Sequence, residues 1–122
     1  PYTEQLLQAY PDKVRLVVRY MPFHGNSVYA IAALEAAAEQ DKYWELLELM
    51  FARQPEWADH HAPRPELITG YAKQLGLDMT RWEAAVKKSA FRDKAERDRA
   101  DGQKLGVTAT PTYFVNGRLL ED

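Results

Sequence analysis

The chain has 122 residues, enough for one domain with a real core. Its hydrophobic fraction of 46% and charged fraction of 28% are ordinary for a globular protein and argue against disorder. A formal net charge of −2 calls for neither nucleic acid nor an anionic membrane as partner, and the lack of any cysteine excludes disulfides, cysteine-ligated zinc and thiol catalysis within these residues. No apolar run reaches the length of a membrane span, and no signal-peptide pattern is present. The start at Pro1 without an initiator Met, and the stop at Asp122 just after a turn, give the expectation of a chain trimmed at both ends.

In chain order, Leu6, Leu7 and Tyr10 set a helix over Thr3 to Tyr10, which Pro11 ends because proline disfavours helix at the residue before it. Val14 to Met21 has the strongest strand signal, being β-branched and aromatic and closed by Pro22. Its apolar residues on both faces predict a central strand covered on two sides. The turn from Phe23 to Ser27 leads into an alanine-rich helix, with Asn26 or Ser27 as N-cap. Asp41 is expected to cap the next helix, with Trp44, Leu47 and Phe51 on its apolar side. Gln54 to Arg64, rich in Pro, His and Trp, reads as a loop. Ile68, Tyr71, Ala72 and Leu75 then follow helical spacing, and Gly76 is placed to close that helix.

Asp78 or Thr80 opens a further helix whose apolar side is Trp82, Ala85 and Val86. A polar helix runs from about Phe91 to Lys104, its Arg92, Lys94, Arg97 and Arg99 interleaved with Asp93, Glu96, Asp98 and Asp101 as a solvated face. Thr112 to Val115 and Arg118 to Leu120 read as strands joined by the hairpin turn Asn116–Gly117. A helical block between a buried strand and a hairpin implies an α/β domain with a helical cap and a small sheet with an open edge.

The segment from Lys104 to Arg118, with Gly106–Val107, Thr110–Pro111–Thr112, an aromatic strand and the Asn116–Gly117 turn, resembles the cis-proline loop and hairpin of DsbA-like thioredoxin-fold proteins. Three other places are similar to that family. They are Tyr20–Met21–Pro22–Phe23–His24 after the strand, the helix Ala30 to Gln40 followed by Lys42–Tyr43–Trp44, and the step Leu75 to Asp78 before Trp82. The resemblance implies an α/β thioredoxin-like fold with an inserted helical domain, lacking the first strand or strands and the last helix. Residues 1–25 and 105–122 would form the core and 26–104 the inserted region. It also implies a Cys-x-x-Cys pair upstream of Pro1, where a helix N-terminus lowers the nucleophile's pKa.

On this resemblance the parent protein is a thiol:disulfide oxidoreductase or isomerase, with protein or peptide thiols and disulfides as substrates, a possible redox partner protein and no cofactor. Its compartment by family analogy is periplasmic or extracytoplasmic, with the cytoplasm left open. The chain itself contributes no catalytic residue. Ala109, Thr110 and Pro111 would hold substrate, Thr110 pairing with an extended segment through its main chain beside a cis Pro111. His24 and Trp57 are candidates for lining the site. A turn histidine bonding the backbone is the plainer reading of His24, and adjacent His60–His61 lack a third metal ligand at sound spacing. Two other readings stay open: a cysteine-less binding module, and a glutathione transferase or isomerase of the kappa type.

Overall fold

The computed structural model describes residues 2–23, 27–59 and 61–121. Among these the element order is α1 (Tyr2–Ala9), α2 (Ser27–Ala38), α3 (Tyr43–Ala52), α4 (Gln54–Trp57), α5 (Leu67–Gln74), α6 (Met79–Val86), α7 (Ser89–Lys104), β1 (Phe114–Val115) and β2 (Arg118–Leu119). None of these helices is long and apolar enough to cross a membrane.

Helix α2 is the hub. It is buried nearly all round, and α3, α5, α6 and α7 all pack on it. Ala33, Ala36 and Ala37 have no exposed surface, and side chains this small let neighbouring backbones approach from several directions. Around them lie Leu46 and Met50 from α3, Ile68, Tyr71 and Ala72 from α5, and Trp82 and Ala85 from α6. The Trp82 indole N–H donates to the Ala33 carbonyl at 3.2 Å, which satisfies its polar edge inside the core.

Three helices end on the same device. After α5 and α7, Gly76 (φ 80°) and Gly106 (φ 77°) take the left-handed conformation. The amides that follow fold back onto the last turn: Leu77 N–H to Ala72 O at 3.4 Å, Val107 N–H to Gly102 O at 2.9 Å. After α2 the left-handed position is held by Asp41 (φ 57°), with Lys42 N–H donating to Ala37 O at 2.9 Å. Asp41 therefore closes α2 and does not cap α3, which starts after Lys42 with no side-chain cap. Asp78 caps α6, accepting from Arg81 N–H at 3.2 Å, and is itself clamped by Gln40 through two hydrogen bonds of 2.8 and 3.1 Å. Of the two N-cap candidates for α2, Ser27 opens the helix and Asn26 lies outside the described residues.

The segment Val14 to Met21 departs from expectation. Among the described residues the sheet holds β1 and β2 alone, paired Phe114 to Leu119 and Val115 to Arg118, so this segment joins no ladder and is not a central strand. A strand is defined by its hydrogen-bonded neighbour, and among the described residues none lies alongside. The alternation of a strand persists: Val14, Leu16, Val18 and Tyr20 turn inward, while Val17 is 61% exposed. One face is covered, not two.

Asp98 of α7 fixes this segment. Only 6% exposed, it accepts from the Tyr20 N–H at 3.1 Å and from Arg19 Nε at 2.6 Å, and Arg19 reaches on to Asp101 at 2.7 Å. The polar helix is thus more than a solvated face. Its Lys94 also bonds Glu35 of α2 at 2.7 Å, and that glutamate is largely covered. On α3 the buried stripe is Leu46 and Met50; Trp44 and Phe51, expected inside, are 47% and 63% exposed because the face that meets α2 and α5 is one position away. The expected loop from Gln54 begins with α4, where Pro55 in the first turn lacks an N–H the helix would leave unpaired anyway.

Two outcomes follow for stability. Asp98→Ala strands the buried Tyr20 N–H and takes away one of the two carboxylates that Arg19 bonds, and should lower the free energy of unfolding by about 2–3 kcal/mol, read from the urea midpoint; Asp98→Asn, which keeps an acceptor, should lose less. Asp41→Gly relieves a left-handed non-glycine residue and should raise stability by about 0.5–1 kcal/mol in the same measurement.

Candidate functional site

The end of α7 delivers the chain into the proline loop. Gly102 is buried, and a Cβ there would overlap the Met21 sulfur, so the absence of a side chain lets Met21 lie against the helix. Gly106 then turns the chain, with its own N–H on Gln103 O at 3.1 Å. Beyond it Thr108, Ala109, Thr110 and Pro111 are all exposed, and the Thr110–Pro111 peptide bond is cis. The Thr112 hydroxyl donates to the Ala109 carbonyl at 2.6 Å and holds the loop in shape. The main chain of Thr110 makes no hydrogen bond to the described residues. Leu120 N–H to Tyr113 O at 2.8 Å extends the hairpin pairing beyond the ladder, and Asn116 (φ 49°) and Gly117 (φ 82°) form its two-residue turn as the sequence suggests.

Two clefts meet at Met21 and Pro22. The first, of about 490 Å³, lies between that segment and the end of α7, and its lining includes Phe23, Arg99, Gln103, Val107 and Thr108. The second, of about 230 Å³, faces the helical cap and is lined by Ile31, Leu34, Leu47, Met50, Phe51 and Trp57. Trp57 is half-buried there, its indole N–H donating to the Met50 carbonyl at 2.8 Å, so it lines the cap cleft and not the cleft next to the proline loop. Ala109, Thr110 and Pro111 stand together on the loop; His24 lies outside the described residues.

Behind the dividing wall sits a polar network. The buried Tyr20 hydroxyl donates to Glu35 at 2.8 Å and lies 2.7 Å from the Tyr43 hydroxyl, while Lys94 bonds Glu35 and stands 5.9 Å over the Tyr20 ring. Burial pushes the Tyr20 phenol well above its ordinary range, and the bonds to Tyr43 and Glu35 push it the same way. Burial raises Tyr43 as well.

Sequence reasoning passes over Arg99, Gln103 and Met21 as site residues. Arg99 and Gln103 are four apart and lie within two turns of Gly106, so one helix face carries both toward the loop lead-in, a spacing visible in the sequence. Chemically the arrangement can bind and orient. It offers exposed main-chain groups, one guanidinium, a carboxamide and apolar walls, and it has no thiol. No group of three His, Cys, Asp or Glu among the described residues is placed to hold a metal ion.

The helices on one side, the hairpin with its cis-proline loop and the lead-in from α7 are the parts of a thioredoxin-like domain. A family model described as "Thioredoxin" matches residues 2–122, and the chain belongs to that family. Among curated relatives it is 40% identical over 117 residues to the Na(+)/H(+) antiporter NhaA of Herminiimonas arsenicoxydans, an alignment covering 96% of this chain and 18% of that protein. It is 38% identical over 123 residues to the Na(+)/H(+) antiporter NhaA 3 of Salinispora tropica, with 97% and 18% coverage. With the Na(+)/H(+) antiporter NhaA 1 of Mycobacterium sp. (strain KMS) it shares 32% over 114 residues, with 88% and 17% coverage. The chain therefore spans less than a fifth of the length of these relatives.

The Tyr20 network predicts an alkaline sensitivity. An unfolded tyrosine ionises near pH ~10 whereas folded Tyr20 keeps its proton, so stability present below that pH is lost as pH rises beyond it. Tyr20→Phe should cost about 1–2 kcal/mol at neutral pH and reduce the fall in unfolding free energy between about pH 10 and 11.5 by up to about 1.4 kcal/mol per pH unit. An identical slope in the two proteins would refute this role.

Proposed function

We propose that the chain is the substrate-holding part of a DsbA-like protein thiol:disulfide oxidoreductase or isomerase. The observation that carries this reading is the exposed Thr110, whose main chain bonds none of the described residues, two residues beyond Thr108 in the lining of the 490 Å³ cleft. An extended polypeptide laid along residues 108–112 would pair with that main chain as an added strand, which gives affinity without dependence on side chains. The redox cysteines come from outside these residues. A thiolate attacks one sulfur of the substrate disulfide, the other sulfur leaves as thiolate, and the second cysteine resolves the mixed disulfide. Ala109, Thr110 and Pro111 position the substrate; Trp57 and the cap cleft lie to one side and serve partner choice. This activity fits an extracytoplasmic compartment.

A second reading draws on the antiporter-named relatives: a thioredoxin-fold domain within a Na(+)/H(+) antiporter, in which the proline loop binds a peptide and no redox step occurs. Two measurements separate them. An extended, cysteine-free peptide titrated into the 15N-labelled protein should shift the amides of Thr108 and Thr110 and leave those of α5 in place; no response at the loop would end both readings. Insulin reduction by the full-length gene product should then be positive for the oxidoreductase, and absence of activity in a product that contains a Cys-x-x-Cys pair would leave the binding module.

A further inference from the structure

We infer that the cleft beside the proline loop selects extended polypeptides bearing an acidic side chain, whose carboxylate is held by Arg99, Gln103 and Thr108. The inference rests on the loop reading above and adds a chemical preference to it. Among the described residues the lining of the 490 Å³ cleft carries a single charge, the Arg99 guanidinium, and no carboxylate. Gly106 and Val107, also in the lining, have committed their N–H groups to the end of α7, on Gln103 O at 3.1 Å and Gly102 O at 2.9 Å. Thr108 has not: neither its N–H nor its hydroxyl bonds any described residue, and the Gln103 carboxamide is likewise uncommitted. Uncommitted donors from two residues thus meet a cation at one wall.

Arg99 is available for this task. Its present partner is Glu96, one turn back on the same helix, bonded from Arg99 Nε at 3.0 Å and from Nη2. The Glu96 side chain is 61% exposed, and an exposed pair of this kind contributes little, so it neither fixes the guanidinium nor uses all five of its N–H donors. The opposite wall is Met21, Pro22 and Phe23, which gives the methylenes of a Glu or Asp side chain, and an apolar neighbour, a surface to lie on. A volume of about 490 Å³ exceeds one side chain and suits a short stretch of extended chain. A polypeptide pairing with Thr110 would pass Thr108, and alternate side chains would then point into the cleft. A basic side chain there would face Arg99 and find no acceptor charge.

The test uses two acetylated and amidated heptapeptides, free of cysteine, that differ only by Glu or Gln at one position, moved along the sequence in turn. Binding to the 15N-labelled protein is followed at the amides of Thr108 and Thr110 at low salt. At the best position the Glu peptide should bind about five- to tenfold more tightly, and the difference should shrink at high salt. Arg99→Gln should bring the ratio close to one. Arg97→Gln, which removes an equal charge from an exposed position outside the cleft, should leave the ratio in place. Equal affinities for the two peptides at every position, with the Thr110 amide still responding, would overturn the acidic preference and leave the loop reading intact. Loss of the ratio in Arg97→Gln as fully as in Arg99→Gln would overturn it too, since the effect would then be one of overall charge. No response at Thr108 and Thr110 to either peptide would overturn both.

Discussion

The segment from Val14 to Met21 has the composition of a strand and no strand beside it among the described residues, so within these residues something other than a ladder holds it. Asp98 does so. Its carboxylate, only 6% exposed, takes the Tyr20 N–H and the Arg19 side chain at once, so its buried oxygens are both hydrogen-bonded. A slip by one residue would turn Arg15, Val17 and Arg19 toward the helices and bring Val14, Leu16 and Val18 into water. The inward alternation and the Asp98 bonds therefore select the same register. That register places Met21 against Gly102 and makes Met21 and Pro22 the wall between the two clefts.

The rest of the cap follows from α2. A helix buried on every side can have no long side chains on most of them, and the run of alanines from Ala30 to Ala38 meets that demand. Where α2 does carry a charge, at Glu35, the carboxylate points to the junction of the Tyr20 segment, α3 and α7, and finds Tyr20 and Lys94 there. Tyr43 completes the cluster by bonding the Tyr20 hydroxyl. No buried side-chain polar atom among the described residues is left without a partner, so the polar cluster adds specificity to a junction that alanine packing alone would leave loose.

Local rules carried far along this chain, and they stopped where a contact depends on residues far apart in sequence. Gly76 as a helix end, Asn116–Gly117 as a hairpin and the Ile68–Tyr71–Ala72 face are properties of a few neighbouring residues, and they read correctly. Trp44 and Phe51 misled because a helix with apolar residues on several sides offers two plausible stripes, and only the position of α2 decides between them. Asp41 looked like an N-cap because Asp favours that position, yet it also tolerates a left-handed conformation, and closing α2 used that property. Asp98 was indistinguishable from its charged neighbours on α7, since its burial comes from a segment 78 residues away. At the site, the loop with its cis-proline is written in consecutive residues, whereas the cleft is made by two segments that only folding brings together.

That division has an energetic consequence for what the loop can do. A main-chain hydrogen bond contributes a net ~0.5–1.5 kcal/mol, and one residue such as Thr110 offers one donor and one acceptor. After the entropy of ordering a flexible peptide is subtracted, pairing of that size corresponds to binding no tighter than about millimolar. On the proposed reading, the exposed loop by itself would thus be a weak and unselective holder of extended chain. Occupancy at lower concentrations needs a further source of free energy: a covalent bond to the substrate, a tether that raises local concentration, or side-chain contacts in the adjoining cleft. The first two lie outside these residues. The third is within them, and because the Met21–Pro22 wall is held by Asp98, the grip proposed for the cleft would depend on a carboxylate outside its lining.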